Sequence, residues 1–276
     1  MCRWIAYIGD EIYLENIIIK PSSSLVEQSL HAKLSYSHDG KILSTNGDGF
    51  GIGWYYHKNQ PGLFKSSEPA WANENISEIC SQTKAHIFMS HIRAASTGSV
   101  QRNNSHPFKY NNILFQHNGY IKDFALIRKD MLYILDNKLF NEIKGTTDSE
   151  AFFMIAIYFG LEKSPKSAIE KTIKFILDLH QKHNIAPKIQ LSCAISDGNS
   201  IFTIRYSTLK KQNTQFYSTD VNCLTDIDNK FNKMPDNSII IVSEPINNSL
   251  HNWNEVPPTS FVTFNNAKVE IEPLNI

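Results

Sequence analysis

Cysteine stands at position 2, directly behind Met1, so removing that methionine would leave a thiol and a free α-amine on one residue. The two groups titrate close enough to neutrality to share a proton, which makes the residue a nucleophile carrying its own base. N-terminal amines activate weak side-chain nucleophiles in this way without a histidine. A free cysteine taken alone is usually a small buried hydrophobe. The weight therefore falls on the polar clusters farther along the chain.

Four such clusters are His91-Ile92-Arg93-Ala94-Ala95-Ser96-Thr97-Gly98, Asn104-Ser105-His106-Pro107-Phe108, His117-Asn118-Gly119 and Gly145-Thr146-Thr147-Asp148-Ser149-Glu150. Each falls at an expected strand end or helix start, where a rigid scaffold presents polar groups to a ligand. Each also has a purely structural reading. Asn118-Gly119 suits a hairpin turn, and Thr147, Asp148 and Glu150 suit the cap of the following helix. Arg93 could be a surface cation, and His91, His106 and His117 could be core histidines with their ring nitrogens bonded to backbone. Three histidines could in principle hold zinc, but neither HxH nor HExxH spacing occurs among them, and no metal is expected.

In this order behind Cys2, the segments HIRAAST, NSHP, HNG and TDSE resemble the motifs of the class II glutamine amidotransferases. The glutaminase domain of that family is an N-terminal nucleophile hydrolase. DGFGIGWY, Pro69-Ala70-Trp71 and Ser243-Glu244-Pro245 make the likeness strongest to the stand-alone, YafJ-like branch. The resemblance covers residues 2–245 and implies an α+β fold, a four-layer αββα sandwich, with residues 246–276 as a C-terminal extension packed on the same domain. It implies no cofactor. Cys2 would attack the side-chain amide of glutamine, while Asn118 and Gly119 stabilise the oxyanion. Arg93, supported by Ser96, would bind the substrate carboxylate, and Asp148 its ammonium. Thr97 replaces a residue that is often histidine in sugar-amidating members, which leaves the ammonia acceptor open.

The elements that must position these residues follow from pattern. Strands are expected at 2–8, 14–19, 47–57, 63–65, 85–91 and 113–120, and helices after Ser24 and over 74–81. Two longer helices, over 148–161 and 168–183, form an antiparallel pair, the second opened by Ser164 and Pro165. Strands return at 188–195, 201–206, 215–218, 238–242, 260–264 and 268–271. The Asn-rich, Pro-flanked stretch 247–258 reads as a loop or a boundary.

Bulk composition narrows the functions. With 276 residues, 41% of them hydrophobic, the chain can bury a full core. Lysine plus arginine equals aspartate plus glutamate at 27 each, so no basic excess invites nucleic acid. The apolar stretch 151–161 is too short to span a bilayer, and Cys2, Cys80, Cys193 and Cys223 have neither zinc nor disulfide spacing. A cytoplasmic enzyme acting on glutamine or a γ-glutamyl small molecule is expected. Either a separate acceptor or synthase protein takes the ammonia, or the enzyme is a simple hydrolase. A non-catalytic scaffold or regulatory subunit is the reading from a different class.

Overall fold

The computed structural model describes residues 2–31, 45–95, 98–210, 212–218, 234–247, 250–265 and 267–276. The N-terminal half runs β1 (Arg3–Tyr13), α1 (Glu15–Ile18), α2 (Leu25–His31), β2 (Phe50–Tyr55), β3 (Gly62–Ser66), α3 (Asn75–Gln82), β4 (Lys84–Ile92), β5 (Phe108–Tyr110) and β6 (Ile113–Ile121). Four helices follow: α4 (Phe124–Tyr133), α5 (Asn137–Glu142), α6 (Asp148–Tyr158) and α7 (Pro165–Lys182). Strands close the chain as β7 (Ile189–Ser196), β8 (Ile201–Ser207), β9 (Phe216–Ser218), β10 (Ile239–Val242), β11 (Trp253–Glu255), β12 (Ser260–Asn265) and β13 (Lys268–Pro273).

Two antiparallel sheets result, one ordered β11-β9-β10-β1-β4-β2-β3 and the other β13-β12-β8-β7-β6-β5. Successive strand side chains point to opposite faces, and that alternation builds the layers. On β1, Trp4, Ala6 and Ile8 pack toward Leu114, Ala194 and Phe264 of the other sheet. Ile5 and Tyr7 turn the other way, onto Ile17, Leu25, Ile76 and Cys80 of the first helical layer. On β7, Leu191, Cys193 and Ile195 face Phe152, Phe153 and Ile173 of the second helical layer. The order of layers is therefore helix, sheet, sheet, helix, the αββα sandwich expected. α6 is buried on every side from Asp148 to Ile157, as its apolar sequence requires. α7 instead buries one stripe through Ile169, Thr172, Ile173, Ile176 and Leu179.

Several expectations are corrected. Residues 14–19 hold the short helix α1 with its two caps rather than a strand, because burying Leu14, Ile17 and Ile18 is worth about 1.5–3 kcal/mol each and outweighs a helix-propensity cost of about 0.5 kcal/mol per isoleucine. Helices α4 and α5 were not expected. The stretch 247–258 contains β11, whose Trp253 is buried. Asn118 and Gly119 lie inside β6, opposite Ser192 and Leu191, and not in a hairpin turn. Among the described residues, no helix is long and apolar enough to cross a membrane.

Side chains tie the sheets together across the middle of the sandwich. Trp4 Nε1 donates to the Ser192 carbonyl at 3.1 Å, and Gln116 Nε2 donates to that of Ile5 at 3.0 Å. Tyr55 Oη donates to the Ser196 carbonyl at 2.8 Å, and, from the segment before β9, Asn213 Nδ2 donates to the carbonyl of Asn118 at 2.9 Å.

Candidate active site

Arg3 of β1 pairs with Ile92 of β4, so Cys2, one residue earlier, emerges beside the first residues beyond β4. The half-buried Cys2 Sγ accepts from Ala94 N at 3.4 Å and lies 3.5 Å from the Ala94 carbonyl. Arg3 fixes the backbone there: Nη1 donates to the Cys2 carbonyl at 2.9 Å, and Nε donates to Glu244 at 2.7 Å. Both members of that ion pair are buried. Burial lowers the Arg3 pKa, while the charges of Glu244 and Cys2 oppose the shift.

Arg93 follows directly on β4 and is buried. Its backbone is held on both sides by the glycine-flanked turn before β2: Arg93 N donates to the Gly49 carbonyl at 2.8 Å, and Asp48 N donates to the Arg93 carbonyl at 3.0 Å. The Asp48 carboxylate accepts from Ala95 N at 2.7 Å, which pins the loop beyond Cys2. The guanidinium donates through Nη1 to the Ser99 carbonyl at 3.1 Å. Burial lowers its pKa, and Cys2, Asp48 and Asp148 push it back up, so one cation feels the thiol and both carboxylates.

Gly119 admits no side chain. A Cβ would sit 1.8 Å from the Gln190 carbonyl oxygen and 2.4 Å from His117 Nε2. Space is the constraint here rather than backbone conformation, because the positive-φ glycines are Gly49, Gly98, Gly160 and Gly198. The side-chain amide of the buried Asn118 has no hydrogen-bond partner among the described residues. Asn118 is tied toward Cys2 through its strand partner Ser192, whose carbonyl holds Trp4, two residues beyond Cys2.

Asp148 is the first residue of α6, and its Oδ2 accepts from Ile121 N at the end of β6 at 2.8 Å. Thr147 does cap this helix, accepting from Glu150 N at 3.2 Å, so the structural reading holds for it. Glu150 turns back to accept from Lys144 N at 2.9 Å and Gly145 N at 2.7 Å. Asn104 clamps the same loop, accepting from Thr146 N at 2.8 Å while Nδ2 donates to the Ser99 carbonyl at 2.9 Å. Gly98, at φ +73, adopts the left-handed conformation that keeps these two loops in contact.

The three histidines form a buried tier. His117 Nε2 donates to the Gln190 carbonyl at 3.1 Å, which leaves Nδ1 to accept from Ser149 Oγ at 2.9 Å. His91 Nε2 donates to the His117 carbonyl at 3.2 Å, and its ring centre lies 4.2 Å from that of His106. Ring nitrogens bonded throughout were expected, but His91 Nδ1 and both nitrogens of His106 meet no partner among the described residues. Burial pushes the His91 pKa down to about 3 and lowers those of His106 and His117, so the tier is neutral at physiological pH.

Of the residues singled out in the sequence, Cys2 and Arg93 stand just beyond the ends of the adjacent strands β1 and β4, Arg93 and Asp148 share a field, and Asn118 and Gly119 lie on the facing sheet. Ser96 and Thr97 lie outside the described residues, as do Met1 and Cys223. Sequence reasoning passed over Arg3, Asp48, Asn104 and Glu244 as positioning residues. A charged Arg3 inside the apolar run CRWIAYI already signals a buried counter-ion.

Known proteins resemble this chain in sequence and in fold. The chain aligns with the probable glutamine amidotransferase DUG3 of Saccharomyces cerevisiae at 28% identity, covering 99% of this chain and 84% of the yeast protein. It aligns with the gamma-glutamyl-hercynylcysteine sulfoxide hydrolase of Mycolicibacterium smegmatis at 21% identity, over 99% of this chain and all of that enzyme. The solved glutamine aminotransferase class-II domain protein of Silicibacter pomeroyi superposes with a TM-score of 0.73 at 26% identity, covering 100% of both chains. The profile of the family described as class-II glutamine amidotransferases matches residues 24–273, which takes in the six-stranded sheet, every strand of the other sheet after β1, the Arg93 loop, the HNG strand and Asp148. On that match, this chain belongs to the class II glutamine amidotransferases.

Proposed function

We propose that the protein hydrolyses the side-chain amide of glutamine, or an equivalent γ-glutamyl amide, through a thioester on Cys2. With Met1 removed, the Cys2 amine takes the thiol proton as sulfur attacks the amide carbon, and returns it to the departing amine. Asn118 Nδ2 and the Gly119 N–H stabilise the oxyanion; one such donor is typically worth about 10²–10³ in rate. Water then cleaves the γ-glutamyl thioester to glutamate. Arg93, with Ser96, grips the substrate carboxylate in the planar fashion only a guanidinium allows, and Asp148 receives the ammonium. The observation carrying this reading is the Cys2 sulfur at 3.4 Å from Ala94 N, beside a buried Arg93 coupled to Cys2 and Asp148 alike.

A second reading rests on the mycobacterial relative, whose name describes hydrolysis of a γ-glutamyl conjugate. Glutamine and γ-glutamyl conjugates share the atoms that Arg93 and Asp148 would hold. Only leaving-group contacts separate them. A cytoplasmic setting is part of the proposal, and either a separate protein accepts the ammonia or the enzyme is a simple hydrolase.

The test is glutamate release from glutamine and from γ-glutamyl peptides by protein with a verified Cys2 N-terminus and by Cys2→Ala. Turnover by the first and none by the second is expected. Equal turnover by both removes Cys2 as nucleophile, and turnover by neither leaves a scaffold. An uncleaved N-terminal tag, which acylates the base, is expected to abolish activity.

A further inference from the structure

On the flank of the sandwich, edge strands β3 and β5 meet α5 and α6 around a cavity of about 280 Å³. Lys65, Arg102, Lys109 and Lys144 line it, against the carboxylates of Glu142 and Glu150, so the walls carry an excess of positive charge. Among the described residues, none of the four cations forms an ion pair. Lys65 Nζ donates to the Asn103 carbonyl at 3.2 Å and sits 4.9 Å from the Phe108 ring centre. Arg102 Nε donates to the Lys65 carbonyl at 3.1 Å, and Lys109 Nζ to that of Pro61 at 3.1 Å. Carbonyls occupy single donors of these groups, leaving further N–H bonds on each. Glu142 and Glu150 offset two of the four positive charges and leave a surplus of two, and the Glu150 oxygens also receive the Lys144 and Gly145 amides. Burial pushes the Lys65 pKa down to about 8; Glu150 opposes that shift and Arg102 adds to it.

We propose that this cavity binds a small oxyanion, a phosphate or a dicarboxylate, gripped by Lys65 and Arg102 with Lys109 and Lys144 at its rim. The site is separate from the substrate pocket, since Asp148 and Glu150 lie two apart on α6 and so point away from one another. It is joined to that pocket through the loop 144–147, which Glu150 and Asn104 both hold.

Calorimetric titration of inorganic phosphate and of malonate into the full chain, at constant ionic strength, tests the proposal without reference to turnover. One saturable site per chain is expected for at least one of the two anions, and which one binds identifies its class. Lys65→Met and Arg102→Met should each weaken binding about ten-fold or more, as the loss of a charged hydrogen bond implies. Lys109→Met, on an exposed side chain, should weaken it several-fold even if the Lys65 variant does not fold. In the unmodified protein, affinity for malonate should fall as pH rises through about 8 and Lys65 loses its proton. Absence of saturation by both anions, or binding undiminished in these variants, overturns the proposal.

Discussion

Acidification should destabilise this protein through its buried histidines before its carboxylates protonate. His91 and His106 are fully buried and held neutral, His91 with its pKa near 3 and His106 well below the ordinary value. In the unfolded chain each would titrate near 6.5. A base whose folded pKa is depressed contributes its full share at higher pH and loses it as pH falls below the unfolded value, because only the unfolded state takes up the proton. Between about pH 7.5 and about pH 5.5, each such histidine costs about 1.4 kcal/mol, so the pair removes about 3 kcal/mol, a large part of a typical total of about 5–15 kcal/mol. His117 contributes in the same direction, opposed by Asp148. Urea unfolding followed by circular dichroism across that range measures the effect. His106→Phe keeps an aromatic ring against His91 and Phe108 but cannot titrate, so it should shrink the acid-induced loss by about 1.4 kcal/mol. An unchanged pH dependence in that variant would refute the assignment of the loss to the histidine tier.

Gly119→Ala should cost about 3 kcal/mol or more, since its Cβ meets backbone that cannot yield without parting β6 from β7. Gly160→Ala, at φ +91 with nothing within 4 Å, should cost only about 1 kcal/mol, and thermal melts of the two compare them directly. Glu244→Ala leaves Arg3 buried and unpaired and should destabilise by about 3–5 kcal/mol, whereas Glu244→Gln keeps an acceptor for Nε and should cost less by urea titration. Asn104→Ala frees the loop that carries Asp148 toward β6, so steady-state kinetics should find KM for the γ-glutamyl substrate raised about ten-fold or more with kcat affected less.

The strands and helices that form the cores of the sandwich were legible because their periodicity is long and unambiguous. β7, β8, α6 and α7 fall within a few residues of where alternation, apolar run length and Pro165 put them. Elements fixed mainly by tertiary contact were not. Residues 14–19 look like a β-branched strand until Leu14, Ile17 and Ile18 find a pocket among helices. β5 and β11 span three residues each, too few for a period to register. In the candidate site, the residue types suited to direct chemistry were readable as local motifs, and the types that hold them were not. Asp48, Asn104 and Glu244 act on segments 47, 42 and 241 positions away in the chain, a relation that sequence spacing cannot express.

The grip of Arg3 on Cys2 reaches further than stability. One guanidinium nitrogen fixes the Cys2 carbonyl while another is anchored on Glu244, so the main-chain torsion that follows the Cys2 α-carbon is locked. The sulfur keeps a single rotatable bond, χ1, with three staggered wells. One well is the orientation toward Ala94. Reaching for a substrate and retreating from it therefore reduces to a hop about one axle, with the rest of the residue acting as a fixed bearing.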